Sequence, residues 1–272
     1  MDALLLLSAL LMGVVEGLTE FLPISSTGHL ILLAELLDFE GPPGKTFEIT
    51  IQLGAVLAVI WVFRDTLLRM AMGMWRRGSA EYYTAVNLLL AFLPAMMFGA
   101  TLHGYITNLL FTPLVVAIAL ILGGIVIIAI ERMRPAPSIH SIPEIGPLAA
   151  LLIGLGQALA MIPGTSRSGA TIISALLVGV DRKVAAEFSF LLAIPTMVAA
   201  TAFSLFKARN ELDFSAAGVI ALGFVAAFVV ALVVVRWLLA VISRIGFTPF
   251  GWYRIALGAV ILVWLALRPA GA

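Results

Sequence analysis

The 272-residue chain has no cysteine, three histidines and only 11% charged residues. Without cysteine, disulfides, thiol catalysis and thiolate metal sites are excluded, and the compartment is left open. There is no Cys/His cluster, no basic tail and no interleaving of aromatic with basic residues, and the net charge is +1, so no nucleic acid partner is expected. A soluble domain carries about 25% charged residues. Here 62% of residues are hydrophobic and the mean hydropathy is +1.14. Both values describe an integral membrane protein embedded in a lipid bilayer. Its apolar runs are long and continuous, without the short alternating segments of a barrel, so the spans are helical. The first apolar stretch is not a signal peptide. Asp2 replaces a basic leader, and Glu16 and Glu20 stand where a small-residue cleavage site belongs.

What is present is a pattern that occurs twice. Residues 10–29 (LLMGVVEGLTEFLPISSTGH) align without gaps on residues 151–170 (LLIGLGQALAMIPGTSRSGA), at an offset of 141. Gly13, Ser25 and Gly28 meet Gly154, Ser166 and Gly169, and the same offset sets Phe47 on Phe188 and Ala58 on Ala199. A third echo sets Phe111-Thr112-Pro113 against Phe247-Thr248-Pro249. Each half thus carries a polar Ser/Gly/Pro insert in apolar sequence, a pattern that points to a binding site near the bilayer midplane.

Six segments have the length of a span: 47–63, 83–102, 112–130, 186–206, 215–236 and 248–267. The pairs 3–22 with 27–38, and 147–162 with 169–180, are broken by polar residues, and their second members are too short to cross. The expected fold is an all-α integral membrane protein of two inverted-topology repeats. Each is a re-entrant half-helix pair plus three transmembrane helices. Repeat one covers about 1–131 and repeat two about 147–272, within one membrane domain spanning 1–272. An odd number of spans per repeat requires the inversion. The basic residues agree with it. Arg64, Arg69, Arg76, Arg77, Arg132, Arg134, Arg182, Lys183, Arg236 and Arg244 fall on one side, expected to be inside; Lys45, Lys207, Arg209 and Arg268 fall on the other. Both termini and the tip of the first hairpin then face outward. A cysteine at Gly41 would react with an impermeant reagent from outside.

Ionisable groups in a bilayer are costly and are functional candidates. Glu16 and Glu20 share one helical face, one turn apart. Two such carboxylates repel unless one is protonated or a cation sits between them, and oxygen ligands favour Mg²⁺ or Ca²⁺. Next come Ser25, Ser26, Thr27 and His29. A half-helix starting here offers free N–H groups to an anion, and a hydroxyl near a histidine is the minimum for an activated nucleophile. The alternative is that the hydroxyls only cap the helix. The second insert, with Gly164, Thr165, Ser166, Arg167, Ser168 and Thr171, has the composition of a phosphate cradle, although not the spacing of a P-loop. Arg167 as a structural ion pair is its plainer reading. Glu48 and Gln52, one turn apart on the next span, are further pocket candidates. Arg254, beside Trp252 and Tyr253, is read as an interfacial or packing arginine, and His103 and His140 as loop residues.

Together Glu16-Gly-Leu-Thr-Glu20, the P-x-S-S-T-G-H run and the P-G-x-S-R-S-G-A-T run resemble the bacterial undecaprenyl pyrophosphate phosphatase family, also named for bacitracin resistance. The resemblance extends through residues 47–54 and 186–195, hence over nearly the whole chain. It implies an enzyme of the bacterial inner membrane that removes the terminal phosphate of a prenyl pyrophosphate lipid and recycles the carrier for cell-wall synthesis. It carries the family's acids onto Glu16 and Glu20, its serine and histidine onto Ser26 and His29, and its arginine onto Arg167. Ser26 would attack the terminal phosphorus with His29 relaying its proton. In the competing version a glutamate or His29 activates water. The oligomeric state is open, a homodimer included. The other class of function is a phosphate-lipid transporter or flippase using the same midplane site, which broken inverted repeats also suit. A passive scaffold has no use for a duplicated polar midplane.

Overall fold

The computed structural model describes residues 3–39, 46–110, 112–208 and 217–267, without the side chains of 102–109 and 207–208. Gly41, Lys45, Phe111, Arg209 and Arg268, and the side chains of His103 and Lys207, lie outside the described residues. Among the described residues every named element is helical. In order they are α1 (Ala3–Thr19), α2 (Ser26–Leu36), α3 (Thr46–Val62), α4 (Arg64–Gly73), α5 (Ala80–Leu110), α6 (Pro113–Met133), α7 (Pro147–Ala158), α8 (Arg167–Leu177), α9 (Arg182–Ala208), α10 (Ala217–Ile245) and α11 (Thr248–Leu267). Single 3₁₀ turns occupy Ile142–Glu144 and Leu159–Met161.

Helices α5, α6, α9, α10 and α11 are long and apolar enough to cross a bilayer, and α3 with α4 makes a sixth candidate bent by 71°. The chain is therefore a multi-pass membrane protein. The bend corrects one expectation. The arginine-rich stretch after residue 63 reads as a loop on charge, yet Arg64–Gly73 is helical. Leu67 and Met70 pack on the main core while Arg64 and Arg69 face away, the division of an amphipathic surface helix. Likewise α5 runs on to Leu110, which puts His103 in a helix rather than a loop. His140 stays in a connection, where its backbone N–H donates to Glu144 Oε2 at 2.8 Å.

Both broken segments appear where the polar inserts predicted them. Polar Ser/Thr/Pro/Gly runs stop α1 and α7, and beyond each break α2 packs on α1 and α8 on α7. The second members, Ser26–Leu36 and Arg167–Leu177, begin and end 141 residues apart. Their neighbours also match. Helix α1 packs on α10 and α7 on α5; α6 packs on α11 and α3 on α9. Close approach explains two glycines of the duplicated motif. A Cβ on Gly13 would collide with the Gly223 carbonyl of α10, and one on Gly154 with the Ala91 carbonyl of α5. The main core, with Phe21, Phe188 and Phe190, lies between these pairs. At one end of the bundle Glu131 of α6 pairs with Arg182 of α9 and accepts from the Phe247 N–H ahead of α11. This tie gathers three helix ends rich in basic residues.

Candidate functional site: two tips meeting on one carboxylate

The second tip is shaped by its backbone. The Thr165 N–H donates to Ile162 O at 3.1 Å, with Pro163 and Gly164 (φ +90°) between them. Proline first and left-handed glycine second is the preference of a type II turn. Ser166 then caps α8, its Oγ accepting from the Gly169 N–H at 3.1 Å. In the first tip Ser25 takes the same place before α2, but makes no side-chain cap. Ser25 and Ser166 have φ of 69° and 71°. Positive φ in a serine is a strained conformation, and it recurs at matched positions of both inserts. The strain turns the next residue inward: Ser26 after Ser25, Arg167 after Ser166.

Those two side chains meet on Glu20. The Ser26 hydroxyl donates to Glu20 Oε2 at 2.5 Å, and Arg167 Nη2 donates to Glu20 Oε1 at 3.2 Å. All three are largely or wholly buried. Arg167 also donates to the Ser189 carbonyl at 3.0 Å, and its guanidinium lies 5.5 Å from the centre of the Phe21 ring. Its Nε is buried with no partner among the described residues. A charge so buried is tolerated because it is paired. A cavity of about 150 Å³ opens beside the trio, lined by Glu20, Ser25, Ser26, Thr27, Gln52, Ala160, Pro163, Gly164, Ser166 and Arg167. It has room for about five waters, the scale of a phosphoryl group. Two larger cavities in the molecule are apolar.

Of the expected binding residues, Ser25, Thr27, Gly164 and Ser166 line this cavity, and Thr165, Ser168 and Thr171 do not. Ser168 Oγ donates to Leu22 O at 2.8 Å and so stitches one tip to the other. Thr171 lies 2.6 Å from the Ser189 hydroxyl. Thr165 offers its carbonyl to Arg254. Gln52 reaches the cavity and Glu48 does not.

His29 departs most from expectation, because it does not touch Ser26. Its Nδ1 lies 2.7 Å from the Ser25 carbonyl. A carbonyl only accepts, so Nδ1 carries the proton and donates. Its Nε2 lies 2.7 Å from the Tyr253 hydroxyl, and the two rings stack at 3° with centres 5.6 Å apart. The group in reach of the Ser26 proton is Glu20. Glu16 sits one turn from Glu20, buried, with Oε2 unpartnered among the described residues.

Arg254 is the residue that sequence reasoning undervalued. It is fully buried rather than interfacial. Its five N–H groups go to the carbonyls of Leu120 and Ala119 on α6, Pro23 in the first tip, and Gly164 and Thr165 in the second. Every guanidinium donor is used. Gly123, whose Cβ would collide with Arg254, leaves the room. An arginine about one-third of the way along an apolar helix was the available signal, and the neighbouring Trp252 and Tyr253 masked it.

Fold and site together define a polytopic membrane protein with a small polar cavity, lined by hydroxyls, a carboxylate and an arginine, between two matched turns. The chain belongs to the bacitracin resistance protein BacA family, whose profile matches residues 9–260. It is 55% identical to undecaprenyl-diphosphatase 2 of Paramagnetospirillum magneticum, over 97% of this chain and 100% of that protein. It is 51% identical to the undecaprenyl-diphosphatase of Rhizorhabdus wittichii, over 97% of this chain and 98% of that one. With the undecaprenyl-diphosphatase of Dechloromonas aromatica it shares 52% identity, over 96% and 95%.

Proposed function

We infer that this chain is an undecaprenyl pyrophosphate phosphatase, acting on a prenyl pyrophosphate lipid. It hydrolyses the terminal phosphate and leaves the lipid monophosphate, which returns to cell-wall synthesis. The observation that carries the reading is the Ser26–Glu20–Arg167 chain beside a cavity of phosphoryl size. Relatives at about half identity over nearly the full length carry the matching name.

The roles follow from the contacts. Ser26 Oγ attacks the terminal phosphorus, and its proton passes to Glu20 Oε2, already its acceptor. The bond from phosphorus to the bridging oxygen breaks, and the prenyl phosphate departs with the proton that Glu20 took from Ser26, which leaves Glu20 a carboxylate again. Water then attacks the phosphoserine, gives its proton to Glu20, and phosphate leaves as Ser26 recovers its hydrogen. Arg167 and the uncapped first turn of α2 face the phosphoryl oxygens and stabilise their charge. His29 acts as a brace: Nδ1–H fixes the Ser25 carbonyl and with it the strained turn that aims Ser26.

Glu16 and Glu20 would hold a divalent cation, Mg²⁺ or Ca²⁺. The orphaned Oε2 of Glu16 fits this, because a buried carboxylate oxygen without a partner is costly unless a ligand satisfies it. Such a cation typically takes one or two carboxylates and completes its shell with phosphate oxygens. Held by Glu16 and Glu20, it would supply positive charge beside the phosphoryl group.

We read the two halves as inverted repeats in one membrane domain, with α1–α2 and α7–α8 as re-entrant hairpins. The common offset, the paired positive-φ serines and the matched packing support this. The basic helix ends gathered near Glu131 support an inside position for that face of the inner membrane, with the catalytic tip open to the outside. Met133 is 82% exposed at that face. Met133→Cys, in a chain that has no other cysteine, should resist an impermeant thiol reagent in intact spheroplasts and react after lysis. Labelling before lysis reverses the orientation.

Phosphate release from C55 or C15 prenyl pyrophosphate by the detergent-purified protein tests the activity. Rapid release, abolished by EDTA and restored by Mg²⁺ or Ca²⁺, is expected. No release with any cation would leave a phosphate-lipid carrier.

A further inference from the structure

One polar donor beside the site has no use in the mechanism above. Gln157 of α7 is 2% exposed, and its Nε2 has no partner among the described residues. Its other end is engaged: the Thr196 hydroxyl lies 3.4 Å from Oε1 and donates mainly to Leu192 O at 2.8 Å. The amide N–H groups are therefore the unsatisfied pair, at a cost only a ligand or water relieves. Gln157 is also the counterpart of Glu16 at the offset of 141. The first half thus places an orphaned acceptor one turn before its tip, and the second half an orphaned donor.

The donor borders a second cavity. This groove of about 450 Å³ lies between α5 and α9, lined by Gln157, Arg167, Ala95, Gly99, Ala199 and Phe203 among others. Apart from Gln157, Arg167 and two hydroxyl residues its walls are apolar. It shares Ala160 and Arg167 with the phosphoryl-sized cavity, so Arg167 stands at the junction of a polar chamber and an apolar one. Met96 and Phe203 on its rim are each 45% exposed, so the groove has an apolar mouth on two helices long and apolar enough to cross a bilayer.

We propose that Gln157 and the α5–α9 groove hold the lipid-linked end of the substrate, the amide donating to the phosphate that stays with the prenyl chain. The isoprene units beyond the first lie along Ala95, Gly99, Ala199 and Ala200, out of reach of a C5 chain, and the rest of the chain leaves past Met96 and Phe203 into lipid. The proposal rests on the phosphatase reading and deepens it. It assigns the two phosphates to different halves: the terminal one to Ser26 and Glu20, the retained one to Gln157, with Arg167 between them. The shared wall of the two cavities, Ala160 and Arg167, and the buried amide with no partner among the described residues commit the groove to a chain bearing an anionic head. A neutral lipid tail would leave the amide unsatisfied.

Two variants test it on the full-length protein in detergent. Ala200→Trp, at an exposed position on the groove, fills it without removing a polar group. It should lower kcat/KM for C55 pyrophosphate about tenfold and leave isopentenyl (C5) pyrophosphate unaffected. Gln157→Leu should lower kcat/KM for both substrates about tenfold, the loss of one hydrogen bond to a charged group. Inhibition by inorganic phosphate, which needs only the terminal site, should not change. A purely structural glutamine would weaken that inhibition as well. Equal chain-length profiles in Ala200→Trp and wild type would overturn the groove, and weakened phosphate inhibition in Gln157→Leu would overturn the amide's role. If wild type releases no phosphate from any prenyl pyrophosphate, the phosphatase reading itself falls and this assignment goes with it.

Discussion

The two tips share a backbone and differ in what they carry. Each ends a broken helix, passes through a serine at positive φ, and starts an eleven-residue helix. The position after that serine holds a hydroxyl in one tip and a guanidinium in the other. The serines differ as well. Ser166 spends its hydroxyl on capping α8, whereas Ser25 leaves α2 uncapped and lines the cavity. In the mechanism proposed above, one turn conformation thus serves twice, reactive in the first tip and electrostatic in the second. A symmetric pair of tips would present two nucleophiles with no cation, or two cations with no nucleophile.

Ser26→Ala should break the comparison at its reactive end. Phosphate release should fall by about 10⁴-fold or more, as removal of an activated nucleophile does, with thermal stability unchanged. Arg254→Leu attacks the element common to both tips. It strands carbonyls in each, and should cost about 3–5 kcal/mol of stability and lose activity in parallel, read by thermal unfolding beside the assay. Arg167→Lys keeps the charge and removes the fork that spans Glu20 and the Ser189 carbonyl. A drop of about 10²–10³ in kcat is expected, larger than any change in KM. The capping difference gives the smallest effect and the sharpest contrast. Ser166→Ala should cost about 1 kcal/mol of stability through the lost cap. Ser25→Ala should leave the melting temperature in place, because there is no cap to lose.

Much of this was legible in the residues. The polar interruptions located both helix breaks, and the offset of 141 alone pairs Ser26 with Arg167. Apolar length identified the spans, since a helix of about twenty apolar residues has few other uses. The illegible parts depend on tertiary direction. His29 falls on the Ser26 face by helical spacing, yet its ring turns to the Ser25 carbonyl and Tyr253, a partner 224 residues away. Glu20 reaches Ser26 across the turn itself, where periodicity gives no guidance. Arg254 was hidden because five carbonyls from three separate segments satisfy it, and no local pattern announces such convergence. The helix α4 was masked by arginines that suit a loop or an amphipathic surface equally well.

The central claim is that Ser26, turned inward by the strained Ser25 and deprotonated by Glu20, forms a bond to the terminal phosphorus. Rapid-quench turnover of prenyl pyrophosphate labelled in its terminal phosphate, followed by peptide mapping, tests it most directly. The account predicts label on the peptide containing Ser26, accumulating before free phosphate and absent from Ser26→Ala together with turnover. Phosphate released by Ser26→Ala near the wild-type rate, with no labelled peptide in either protein, would contradict it.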